Sequence, residues 1–372
     1  MTDPEGTDLI DYDDLYRVIR VTRQVTGHSD VIETYGYNAM GALVTNASET
    51  TGITLDDQRP RIGASGTAPS AVMAKLNGVA VGLDPVGRIT SLNGATIAWD
   101  KAGLLASITN GASVETYRYD ARKLRVGREP STGASEYFVY EGDNIVARLD
   151  PTGGVSDTYL YDGIDHPLRL TRGGFTYFYE LDLAGNVRRL RGPGGTDGGG
   201  YRYTAYGMLE ASDSGTPLPS LDQALRWKGR WFVNQLGGVY DVRARWWSPA
   251  LGSFLSIDEF EFEDPNTTLW GWPGQAPYRL RDSSGHGPTC ALKCSPASCE
   301  NRCAGIGQRV VQNCFAEYAK GTVRDPRTGK LSDPDAVQHL IDCVYDTLSR
   351  YDLCVAACNG QAPPVFAPKA CQ

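Results

Sequence analysis

The chain has 372 residues, a formal net charge of −8, 43 glycines, and 20 tyrosines against 9 phenylalanines. That length suits two or three domains, and the acidic balance argues against a general nucleic-acid binder, which needs a basic face. No apolar run approaches the ~18 residues that span a membrane, and the acidic opening Met1-Thr2-Asp3-Pro4-Glu5-Gly6 is not a Sec-type signal peptide.

Plentiful Gly, Tyr, Thr and Val predicts many short strands joined by tight turns. Along the first half of the chain a degenerate motif recurs: an aromatic or Leu, then Asp or Asn, two residues, Gly, one residue, an aliphatic. It reads Tyr37-Asn38-Ala39-Met40-Gly41-Ala42-Leu43, then Leu83-Asp84-Pro85-Val86-Gly87-Arg88-Ile89, then Trp99-Asp100-Lys101-Ala102-Gly103-Leu104-Leu105, and later Leu181-Asp182-Leu183-Ala184-Gly185-Asn186-Val187. Tyr12-Asp13 and Tyr119-Asp120 begin copies that lack the Gly. Each copy predicts strand, Asp-x-x-Gly turn, strand, with Gly supplying the positive φ. The irregular spacing of the copies marks a repeat architecture with worn units. Asp84-Pro85-Val86-Gly87 and Asp150-Pro151-Thr152-Gly153 read as ordinary repeat turns.

The stretch from Gly192 to Gly200 predicts a glycine-rich hairpin loop, because no Lys-Ser/Thr follows it to make a phosphate cradle. His28, His166, His286 and His339 are scattered without metal-ligand spacing, so no metal or other cofactor is expected.

All nine cysteines lie between Cys290 and Cys371, which marks a domain boundary and an oxidising environment for the tail. Ser295-Pro296 and Ser332-Asp333-Pro334 each give a helix start, and Asp325-Pro326-Arg327-Thr328-Gly329 between them gives a turn. The cysteines are mirror-symmetric about that turn: Cys299 with Cys358, Cys303 with Cys354, and Cys314 with Cys343 have the same sum of residue numbers. Facing residues of an antiparallel helical hairpin show that property, and the spacings keep each trio on one helix face. The prediction is a helical hairpin stapled by three disulfides, resembling twin-CxxxC hairpins in general design. Zinc is the alternative reading of the Cys-x-x-x-Cys pairs, and Cys290, Cys294 and Cys371 remain unassigned. The tail's charge is nearly balanced and shows no catalytic cluster, so it reads as a binding or structural module.

The repeat units resemble YD repeats of the RHS, teneurin and insecticidal-toxin-complex families. The likeness is strongest from Tyr177 to Gly285. Residues 177–188 resemble the opening of the RHS repeat-associated core, Tyr201-Arg202-Tyr203-Thr204-Ala205-Tyr206-Gly207 the next unit, and the run from Gly238 to Asp258 the family's most characteristic stretch. Thr268-Leu269-Trp270-Gly271-Trp272-Pro273 follows at the expected distance. The resemblance implies a mainly β fold: a hairpin strip forming part of a β-shell that encloses a C-terminal polypeptide. Trp227, Trp231, Trp246, Trp247, Trp270 and Trp272 are expected to pack between shell and inner segment, with a sugar-binding surface as the alternative reading. Residues 1–176 are then degenerate YD repeats, 177–286 the RHS core, and 287–372 the Cys-rich helical tail. About 285 residues make too little sheet to close such a chamber. An upstream shell-forming or export partner and an extracellular or cell-surface location are implied, with the tail's target left open.

The family cuts its own chain at the end of the core by an aspartyl-type mechanism. Carried over one at a time, Arg245 matches the Arg of the family's Arg-Ala-Arg-Tyr-Tyr run. Asp258 matches the Asp of the first Asp-Pro-x-Gly motif, and Asp282 that of the second, with the cut after His286. One carboxylate would activate water and one acid would protonate the leaving nitrogen, with Arg stabilising the oxyanion. The first motif here reads Asp258-Glu259-Phe260-Glu261, and the second has Ser283 for Pro and His286 for Leu. The competing reading is a buried Arg245–Asp258 ion pair that holds the inner segment, in a non-catalytic extracellular structural or adhesion protein with a stapled binding tail.

Overall fold

The computed structural model describes residues 2–3, 6–25, 27–48, 53–60, 66–210, 223–258, 268–285 and 289–290. The chain divides into two units, Met1–Gly287 and Pro288–Gln372; the architecture below is that of the first. The stapled helical hairpin, with its six paired cysteines, lies outside the described residues, as does His286. Among the described residues the structure is mostly β, and its only helical pieces are short 3-10 turns at 193–195, 227–229 and 273–275.

Two antiparallel meanders carry the repeats. Thr2–Asp3 through Leu43–Ser48 form a five-stranded sheet, and Gly82–Leu83 through Asp197–Gly200 form a thirteen-stranded one, each strand pairing with the next in sequence. The long sheet runs unbroken through Phe175–Leu181. Residues 55–80 add two small sheets.

The Asp-x-x-Gly turn is a repeated hydrogen-bonded module. At Asp100 the backbone amide donates to the Leu104 carbonyl (2.8 Å) and the carbonyl accepts from Gly103 (3.1 Å). One carboxylate oxygen of Asp100 also accepts from the amides of Ala102 and Leu104, both at 2.8 Å. Asp13, Asn38, Asp84, Asp120, Asp150 and Asp182 repeat this pattern. The fourth turn position is left-handed in every copy, and where Gly is missing Tyr16 (φ 60°) and Lys123 (φ 66°) adopt it. Asp therefore suffices to build the turn; Gly lowers its conformational cost.

The residue before the turn Asp sits at a β-bulge, as at Tyr37, Trp99, Tyr119 and Tyr161. Bulges re-aim side chains, and here the aromatic is turned back along the strip. Tyr37 donates to the carbonyl of Val18, Trp99 to Ile89 and Tyr119 to Leu105, at 2.6–2.9 Å, and Tyr140, which precedes Glu141 rather than Asp, donates to Arg125 at 3.0 Å. Each bond reaches the start of the strand that follows the preceding turn. The aromatic–Asp dipeptide thus makes the turn with one residue and ties neighbouring hairpins with the other.

The buried face of the strip carries a ladder of alternating charge across six consecutive strands: Glu115, Arg128, Glu136, Arg148, Asp157, Arg172. Each neighbouring pair is an ion pair. Tyr117 and Tyr159 donate to Glu115 and Asp157 (2.8 and 2.9 Å), adding hydrogen bonds to two of the ladder's buried carboxylates.

The described residues between 201 and 285 form an inner segment on that face. Its strands Val239–Val242 and Arg245–Ser248 are buried at every position, as expected where both faces are covered. Trp227, Trp246, Trp247 and Trp272 are among the largest fully buried side chains; Trp227 and Trp247 lie 4.7 and 5.2 Å from Trp272, centroid to centroid. Arg125 crosses from strip to inner segment. It is fully buried, pairs with Asp241 at 2.7 Å, and stands 4.4 Å from the Phe138 ring. The glycine-rich stretch expected as a loop is half turn and half strand: Gly192–Gly195 turns, and Asp197–Gly200 pairs with Val187–Arg191. Ladder bonds need only backbone, so the missing side chains do not prevent pairing.

Candidate functional site

Three elements of the inner segment converge on Arg245. The first is the hairpin of Val239–Val242 and Arg245–Ser248, closed by Arg243-Ala244, with Arg243 left-handed at φ 63°. The second is the crossing near Asp258, whose amide donates to the Leu269 carbonyl at 3.0 Å. The third is the segment Asp282–Gly285, laid over the hairpin turn with the Ala244 amide donating to the Ser284 carbonyl at 3.2 Å.

Arg245 is the centre of the site. One terminal nitrogen lies 2.7 Å from Asp258 and 2.9 Å from Asp282, so two carboxylates flank a single donor. Its Nε donates to the Gly285 carbonyl at 2.5 Å, its other terminal nitrogen to the Leu269 carbonyl at 3.3 Å, and its guanidinium lies 3.7 Å from the Phe254 ring centroid. Arg245 is 4% exposed and Asp282 0%, which makes solvent screening of this pair weak. The second oxygen of Asp282 accepts from the Gly285 amide at 2.7 Å. The turn that Pro and Gly would shape is therefore held by Asp282 and Gly285, with Ser283 in the Pro position.

The structure thus brings together all three residues named from the sequence: Arg245, Asp258 and Asp282. It also joins Asp282 to the ion pair expected between Arg245 and Asp258 alone. Glu259 to Glu261 lie outside the described residues. A cleft of about 210 Å³ opens beside Arg245, lined by Val86, Arg88, Lys123, Ser256 and Ile257 among others. Among the described residues no group of three His, Cys, Asp or Glu could hold a metal ion.

Sequence reasoning missed three neighbours. Asp165, from the strip, pairs with Arg230 and Arg243 of the inner segment, both at 2.8 Å. Arg230 donates on to the Asp282 carbonyl at 2.5 Å, and Arg243 to the Ser283 carbonyl. Burial pulls the pKa of Arg230 down to about 10 against the opposing pull of Asp165. The only sequence signal for these residues was the density of arginine around the Gly238 to Asp258 run.

No protein-family model matches the chain. Among curated proteins it is 28% identical over 148 residues to the tRNA3(Ser)-specific nuclease WapA of Bacillus spizizenii, a stretch that is 38% of this chain and 6% of that protein. Among solved structures it is similar to the Photorhabdus luminescens Tc holotoxin pore with a TccC3 mutation (TM-score 0.55, 18% identity, 78% of this chain, 16% of that chain). It is also similar to the TcdB2–TccC3–Cdc42 crystal structure (TM-score 0.54, 18% identity, 75% of this chain, 15% of that chain). These likenesses show that about three quarters of the chain shares the β fold of a stretch of those toxin-complex chains. The chain spans less than a fifth of the length of each of these proteins.

Proposed function

We propose that the chain is the closing segment of an RHS-type β-shell that carries a C-terminal module, residues 287–372, and fixes the start of that module with the Arg245 cluster. The observation that carries this reading is the burial of Asp282 and Gly285, the two ends of the last described stretch before the module, against a guanidinium held by two carboxylates. The toxin-complex fold and the WapA likeness support a toxin-like cargo and an extracellular or cell-surface setting. The toxin-complex neighbours are assemblies with partner chains, which supports an upstream shell-forming or export partner. The module is the disulfide-stapled hairpin with pairs Cys299–Cys358, Cys303–Cys354 and Cys314–Cys343. Limited proteolysis of the full-length chain with mass readout tests the carrier reading. A resistant fragment reaching Gly285 is expected. Cuts that appear first inside residues 223–258 overturn it.

A second reading rests on one contact: Arg245 Nε donates to the carbonyl of Gly285, the carbonyl of the Gly285–His286 peptide bond. That contact would polarise a carbonyl beside two carboxylates, the parts an aspartyl-type cut needs. One carboxylate takes a proton from water as its oxygen bonds to the carbonyl carbon. The other carboxyl gives a proton to the nitrogen as the C–N bond breaks. The cut falls at this bond or, by family resemblance, one residue on, after His286. Intact mass under denaturing conditions decides. Two fragments that merge into one uncut chain in Asp282→Asn support cleavage, and a persistently uncut wild-type chain refutes it.

A further inference from the structure

All four carbonyls of Asp282 to Gly285 are occupied, three of them by arginine side chains. Arg230 donates to Asp282, Arg243 to Ser283, the Ala244 amide to Ser284, and Arg245 to Gly285. We propose that Arg230, Arg243 and Arg245 form a binding site for a turn of main chain, a clamp that reads backbone carbonyls, with Asp165 as the positioning residue that aims two of its three arginines. The inference deepens the carrier reading, because the gripped stretch is the one that leads to the module.

Asp165 is 6% exposed and belongs to the strip, not to the inner segment. Its two oxygens are divided: Oδ1 faces Arg243 at 2.8 Å, and Oδ2 lies 2.8 Å from Arg230 and 3.3 Å from Arg243. Arg243 is anchored a second time through the Asp143 carbonyl, at 2.9 and 2.7 Å. Both arginines are therefore fixed before they meet the segment, so little rotamer entropy is lost in gripping it. Side-chain selectivity enters at two places that the contacts define. Asp282 is bound through its carboxylate, and Gly285 is left-handed at φ +79°. A Cβ on Gly285 would stand 2.3 Å from the Val242 carbonyl oxygen and 2.9 Å from the Arg245 amide.

Amide hydrogen exchange of the full-length chain, read by mass spectrometry on peptides covering 280–287, tests this. Asp165→Asn and, independently, Arg243→Lys are expected to speed exchange there by about tenfold or more, since a lysine cannot bridge Asp165, the Asp143 carbonyl and the Ser283 carbonyl together. Peptides covering residues 231–242 of the hairpin are expected to stay unchanged, which a merely structural role of Asp165 would not allow. Ser283→Ala and Ser284→Ala are expected to leave exchange within about twofold, whereas Gly285→Ala speeds it. The clamp is overturned if Asp165→Asn and Arg243→Lys leave the 280–287 peptides unchanged, or if the serine variants loosen them as much. The proteolysis described above reads the carrier function separately, so the two proposals fail independently.

Discussion

Arg245 and Asp282 meet at 2.9 Å with Asp282 wholly buried. They lie on different elements, and Asp258 reaches the same guanidinium nitrogen from a third. A single cation thereby joins the hairpin, the Asp258 crossing and the end of the described core. Removing it would take from both carboxylates the guanidinium they share in a site with little water, the situation in which breaking a buried pair costs most.

The tyrosine of the repeat dipeptide contributes through its hydroxyl. Tyr119 donates to the Leu105 carbonyl at 2.9 Å and accepts from Trp246 Nε1 at 3.2 Å. Tyr119→Phe leaves both partners unpaired and is expected to cost about 1–3 kcal/mol. Tyr16→Phe, on an exposed turn, is expected to cost nearly nothing. Urea denaturation of the two variants provides the comparison, and equal losses would remove the hairpin-tying role.

A left-handed lysine closes the Asp120 turn at φ 66°. Lys123→Gly relieves that conformation and is expected to raise stability by about 1 kcal/mol, less the entropy glycine adds to the unfolded chain. Replacing Gly103, left-handed at φ 80° in the preceding turn, by Lys is expected to lower it by a similar amount. Thermal unfolding shows the direction; a loss of stability in Lys123→Gly contradicts the turn account.

Two buried groups make stability depend on pH in opposite senses. Burial raises Glu33 from 4.5 to about 7, against the lowering effect of its bonds from Tyr35 (2.5 Å) and the Ala205 amide (2.9 Å). Burial lowers Lys228 from 10.5 to about 7, helped by Arg281 and opposed by Asp182. Between pH 4.5 and 7 the folded chain keeps the Glu33 proton that the unfolded chain has released, so this group's contribution falls as pH rises. Between pH 7 and 10.5 the unfolded chain keeps the Lys228 proton that the folded chain has lost, so stability rises with pH. These two groups together give a minimum near neutrality. Denaturation midpoints measured across this range should lose the acid limb in Glu33→Gln and the alkaline limb in Lys228→Met. Unchanged profiles in both variants would contradict the assignment.

The amino-acid sequence shows the repeat and the site more clearly than what joins them. The Gly238 to Asp258 run is long enough to name Arg245 and Asp258, and the Asp-x-x-Gly pattern locates the turns. Tyr12-Asp13 and Tyr119-Asp120 looked incomplete because the Gly was missing, yet the Asp carboxylate builds the turn there too. The charge ladder from Glu115 to Arg172 was not legible: its members are brought together only by the register of six strands. Asp165 was hidden for the same reason, since its partner Arg243 is 78 residues away. The toxin-complex fold was legible through resemblance, while the tail's predicted hairpin falls outside the described residues.

The most direct test of the central claim, that one buried arginine–carboxylate site secures the end of the core, is a double-mutant cycle on Arg245→Met and Asp282→Asn by denaturant unfolding. Arg245→Met alone is expected to cost about 3–5 kcal/mol, and the two changes together much less than the sum of their separate effects, with a coupling energy of at least about 1 kcal/mol. Effects that add to within about 0.5 kcal/mol would contradict the account.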